Sequence, residues 1–186
     1  MVAAFFTIAI AQRSPGTPAA KILEGAKNQL TKPASYTGAY YKISYPNGDV
    51  PADKGACTDV IIRAFRHAGY DLQRLIHEDS KRVNYPRIGK KQDRNIDHRR
   101  VPNQRRYIER FGTELTMKTD ATSLRQWQAG DVVFWKLASG LDHVGIISDR
   151  KNAKGHPYVI HNIWQAAEED VLHTYKIVGH FRFPKR

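Results

Sequence analysis

Four β-rich runs, at 131–137, 143–148, 158–163 and 174–183, fill the C-terminal third of the chain, whereas the regular segments ahead of residue 131 have helical spacing. Strands joined by short connections pair antiparallel, and strands that follow helices instead of alternating with them argue against a wound parallel sheet. The expected fold is therefore α+β, with helices of the first half packed on a C-terminal antiparallel sheet. At 186 residues, the chain suits one core. We take 19–186 as a single domain.

Two helices are legible. Ile22, Leu23, Ala26 and Leu30 mark one over 19–30, stopped by Pro33. Val60, Ile61, Ala64, Phe65 and Ala68 mark another over 58–68, stopped by Gly69. The Tyr-rich stretch 36–45 predicts a short strand or extended arm before the turn Pro46-Asn47-Gly48-Asp49. The segment 77–110 has eleven Lys or Arg against five Asp or Glu, half of the net +12 of the whole chain. Apart from a short helix at 105–111 it lacks apolar periodicity. It is expected to be a long excursion from the core, its charges outside any site.

Residues 2–11 are apolar except for Thr7 and end in Ala9-Ile10-Ala11, a small-x-small pattern. With the spacer up to residue 18, this reads as a signal peptide remnant, which predicts export to the periplasm or cell envelope. The run is too short to span a bilayer comfortably. A surface charge of +12 favours anionic partners: nucleic acid, lipid headgroups or an acidic polymer.

Cys57 is the only cysteine, which excludes an internal disulfide. It falls at the start of the 58–68 helix, where the dipole favours a thiolate, so it reads as a nucleophile. Pairing the 143–148 and 158–163 runs as a hairpin makes His143 and His161 neighbours, with His143 as base and His161 as orienter. Alternation turns Asn162 to the other face. An accessible Cys57 titrating below the free-thiol value of about 8.5 is expected. His67, His77, His98, His156, His173 and His180 form no His-x-x-x-His pair or Cys/His ligand cluster, and the sequence calls for neither metal nor organic cofactor.

These residues resemble the NlpC-type cell-wall cysteine peptidases of the papain-like superfamily. The resemblance is carried in order by Gly55-Ala56-Cys57-Thr58-Asp59-Val60, by Ala129-Gly130-Asp131-Val132-Val133-Phe134-Trp135, by Asp142-His143-Val144-Gly145-Ile146 and by Val159-Ile160-His161. More narrowly, 55–183, including Asp97-His98-Arg99-Arg100-Val101-Pro102-Asn103, is similar to an uncharacterised bacterial family related to that superfamily. The resemblance implies a papain-like fold and hydrolysis of an amide bond in peptidoglycan, or another anionic peptide-bearing polymer, through a thioester. Cys57, His143 and His161 would be catalytic. Tyr45, Thr58, Asp59 and Asp142 would contribute oxyanion or substrate contacts. Ala56 stands where that superfamily has a carboxylate before its nucleophile, which argues against recognition of a free stem-peptide amine.

Two other readings stay open at this point. One is a basic module for nucleic acid or envelope polyanions in which Cys57 is structural; no recognisable nucleic-acid motif accompanies the charges. The other is a thiol acyltransferase or deamidase on the same fold.

Overall fold

The computed structural model describes residues 16–185. The apolar run at 2–11 lies outside the described residues. Helix α1 (Pro18–Asn28) begins with Thr17, whose hydroxyl accepts from the Ala20 N–H, and with Pro18, which needs no N–H partner at that position. Two short strands, β1 (Ser35–Tyr36) and β2 (Lys54–Gly55), pair parallel with each other and lead into helix α2 (Cys57–His67). The expected strand over 36–45 is limited to this two-residue contact. Most of that stretch is instead fastened by side chains, such as Asn95, which accepts from the Ile43 N–H.

The structure then departs from expectation. Helix α3 (Leu72–Asp79), capped by the Asp71 side chain, was not anticipated. The 77–110 segment is no excursion from the core: His77, Tyr85, Asp97, His98, Arg99, Asn103, Gln104, Tyr107 and Ile108 are buried. Helix α4 (Val101–Phe111) starts four residues before the helix expected there. The polar side chains of the segment supply the partners that burial requires. Asn103 donates to Asp97 O, and Gln104 donates to both Thr58 O and His98 O. Apolar spacing could not reveal this packing, because hydrogen bonds hold much of it.

The second half forms strands β3 (Thr113–Glu114), β4 (Val132–Lys136), β5 (Asp142–Lys151), β6 (Pro157–Asn162), β7 (Ala166–Glu169) and β8 (Lys176–Arg182). Their order in the sheet is β3-β8-β4-β5-β6-β7, with every pairing antiparallel. The protein is thus α+β, as its patterning predicts. One face of the sheet carries Val132, Phe134, Val144, Ile146, Ile160 and Phe181 into the main core with Ile61, Phe65 and Ile22 of the helices. The other face carries Trp135, Ile147 and Val159 into a smaller cluster with Trp127 and Leu172. Among the described residues, no helix is long and apolar enough to cross a membrane.

Candidate active site

Strand β5 carries His143 and meets both β4 and β6. Its pairing with β6 runs through Ile146↔Ile160 and Ile147↔Val159, while its first residues, 142–145, pair with β4. The start of α2 packs against β5 and β6. Asn162 of β6 donates to Gly55 O at 3.2 Å and to Ala34 O at 3.0 Å, fixing the entry to the helix. On the β5 side, the Val144 backbone N–H favours a negative charge on the Cys57 sulfur, as do those of Thr58 and Cys57 itself. The sulfur therefore lies against β5, beside the residue that follows His143.

On the other face of the sheet, His143 Nε2 and His161 Nδ1 are 2.9 Å apart. Alternation along β6 accounts for this: His161 shares the face of Val159, whereas Asn162 faces the helices. Trp135 lies against both rings, 5.7 Å from that of His143 and 6.3 Å from that of His161. This aromatic wall leaves His143 only 3% and His161 1% exposed. Burial, reinforced by the neighbouring His161, pushes His143 down to about 3, so its ring is neutral near pH 7.

Glu169 completes the row. Its carboxylate lies 2.9 Å from His161 Nε2, although that nitrogen has no well-directed hydrogen-bond partner. We read the contact as an electrostatic approach, with the alignment of a hydrogen bond not reached. Burial lowers the pKa of His161, and the Glu169 charge opposes that effect. The sequence reading missed this residue. A strand at 166–169 left no signal, because Ala-Ala-Glu-Glu neither alternates nor contains good strand formers.

Cys57 corrects an expectation. It is 7% exposed and packs with the main core, and burial pushes its thiol up to about 12 despite the backbone N–H groups that favour the anion. The nearby Asp59 charge acts in the same direction as burial. Among the described residues, no hydrogen bond joins the thiol to a histidine. The resting pair is a neutral thiol and a neutral imidazole. The accessible thiolate expected from the helix dipole alone is not what the fold holds.

The four accessory positions fare unevenly. The Tyr45 hydroxyl donates to Glu78 Oε1 at 3.2 Å, its ring lies edge-on to His77, and Arg94 covers it, which commits it away from the thiol. The Asp59 carboxylate is consumed by Arg99, whose Nε and Nη2 donate to it at 2.8 and 2.9 Å, and by the Ala56 N–H at 2.6 Å. It anchors the start of α2 and is not free for substrate. The Thr58 hydroxyl is buried without a partner. Asp142 pairs with Lys136 at 2.7 Å and borders a cleft of about 260 Å³ between α4 and the Phe134 and Trp135 end of β4. His98, expected on an excursion from the core, is buried and pushed down to about 4 by that burial. Among the described residues, no group of three or more His, Cys, Asp or Glu is arranged to hold a metal ion.

Asp131 was expected only as part of a strand motif, but it forms a separate buried knot. It accepts two hydrogen bonds from Arg182 and contacts His180 Nε2 at 3.0 Å, and Trp127 stacks on the His180 ring at 3.7 Å. These groups brace the far end of β4 and β8.

A helix opened by a lone cysteine and packed on an antiparallel sheet bearing two paired histidines is the kind of protein this is, and its sequence is similar to that of known proteins. Residues 23–183 match the family described as "Domain of unknown function (DUF1287)", and the chain belongs to that family. A relative within reach is "Uncharacterized protein YijF" of Escherichia coli (strain K12), 45% identical over 169 residues, which are 87% of this chain and 80% of the relative.

Proposed function

We propose that the protein is a cysteine-dependent hydrolase of papain-like architecture that cleaves an amide bond in peptidoglycan or a related peptide-bearing polymer. The observation that supports this most is the row His143–His161–Glu169, together with Val144, the residue after His143, whose backbone N–H meets the Cys57 sulfur. With the Glu169 charge favouring the proton on His161 Nε2, His161 Nδ1 accepts from His143 Nε2–H. That tautomer leaves the lone pair of His143 on Nδ1, as a general base requires.

In this reading the thiol proton passes to His143 as the sulfur attacks the amide carbon, because the resting pair is neutral and no thiolate waits beforehand. The backbone N–H groups around the sulfur take the oxyanion charge. Collapse of the tetrahedral adduct breaks the carbon–nitrogen bond, and His143 returns its proton to the departing amine. Water, deprotonated by His143, then splits the thioester to acid and free thiol. The same proposal puts this activity in the cell envelope, supported by the signal-peptide-like pattern of residues 2–11.

The test is incubation of purified peptidoglycan with the protein and with Cys57→Ala, followed by mass spectrometry of the soluble fragments. New amine and carboxyl termini should appear with the first only. Products at equal rate from both proteins sink the assignment. A transfer product in place of the free acid would favour an acyltransferase.

A further inference from the structure

We propose that the hollow between the end of α3 and the 81–94 loop is a binding site for a phosphate-bearing anion. It encloses about 660 Å³, and its lining includes Lys81, Lys90, Lys91 and Arg94 with no Asp or Glu. Net positive charge alone would not make a site. What makes one here is how the neighbouring carboxylates are engaged. Glu78 is held by Lys81 and Tyr45, Asp79 by Arg110 and Tyr85, Asp93 by Tyr40, and Asp97 by the Asp93 N–H. Lys90, Lys91 and Arg94 are left without an ion-pair partner among the described residues, and they face the same space.

The walls are built in advance of any ligand. Gln92 spans the hollow's base, its Nε2 donating to His77 O at 3.2 Å and Ser80 Oγ at 2.5 Å. Arg94 is held over the Tyr45 ring at 4.5 Å, which in turn meets His77. Burial and the charges of Lys81 and Arg94 all lower the pKa of His77, so the positive potential of the hollow is felt by its own lining.

The donors choose phosphate over carboxylate. A lone carboxylate is matched by one planar arginine fork, whereas several ammonium groups around a hollow match charge spread over three or more oxygens. This site does not depend on Cys57, and it does not rest on the hydrolase reading.

Calorimetric titration of the full chain with inorganic pyrophosphate tests it, alongside the NMR signal of the His77 ring. We expect saturable one-to-one binding, a shift of the His77 resonance, and a loss of about tenfold or more in affinity in Lys90→Glu/Lys91→Glu. Lys21→Glu/Lys118→Glu makes the same change in net charge elsewhere and should alter affinity by less than about twofold. Cys57→Ala should bind as the parent does. Equal weakening by both charge-reversal pairs would show diffuse attraction and overturn the site. Citrate binding as tightly as pyrophosphate overturns the phosphate assignment.

Discussion

Arg99 and Asp59, forty residues apart in sequence, close a two-point salt bridge at 2.8 and 2.9 Å with side chains only 3% and 2% exposed. The pair clamps the basic segment onto the first turn of the cysteine helix, and Arg99 also donates to Ala39 O. Arg99→Ala leaves a carboxylate buried without its counter-charge, at a cost of about 3–5 kcal/mol in unfolding free energy. Arg99→Lys should recover only part, since a single ammonium cannot reproduce the fork. Urea denaturation of both variants, with Asp59→Leu/Arg99→Met as the double change, checks the argument. The double variant should be much closer to the parent than Arg99→Ala is.

Cys57 should label slowly. With its thiol pushed up to about 12 by burial, alkylation by iodoacetamide in the folded protein should lag behind the same reaction in urea, and its pH midpoint should lie above the free-thiol value of about 8.5. A midpoint below that value would mean that the backbone N–H groups outweigh burial.

Acid should destabilise the protein through its buried histidines. His98 is pushed down to about 4 and His143 to about 3 in the folded state, against the unfolded value of about 6.5. Below pH 6.5 the unfolded chain binds protons that the folded one refuses, so stability falls from there to about pH 4 for His98 and about pH 3 for His143. Each contributes on the order of a few kcal/mol across its window. Urea midpoints of the parent and of His98→Gln, measured at pH 7.5 and 4.5, should show a smaller loss on acidification in the variant. An identical loss would contradict a buried neutral His98.

His161, Glu169 and Asn162 should separate turnover from stability. Under the hydrolase reading, Glu169→Gln slows turnover by about tenfold and alters its pH profile without unfolding the chain, because the carboxylate acts through the His161 tautomer. His161→Ala should be slower still, and His143→Ala nearly inactive. Asn162→Ala should instead cost about 1–3 kcal/mol of stability, since Gly55 O and Ala34 O lose their buried donor. Thermal melts read beside a peptide-release assay distinguish the two kinds of loss.

The sequence by itself determined the α+β class, the position of Cys57 at a helix start, and the common face of His143 and His161. Those features follow from local periods: 3.6 residues for α2, and two for β5 and β6. Tertiary structure decided the rest. It buried the 77–110 segment, matched Arg99 to Asp59, sent Tyr45 to Glu78 and brought Glu169 to His161. It also raised the Cys57 thiol that helix position alone would have lowered. A repeat in sequence states which side chains share a face. The partner across forty or a hundred residues, and the water that its arrival removes, depend on how the elements pack, and those two quantities keep Cys57 and His143 neutral.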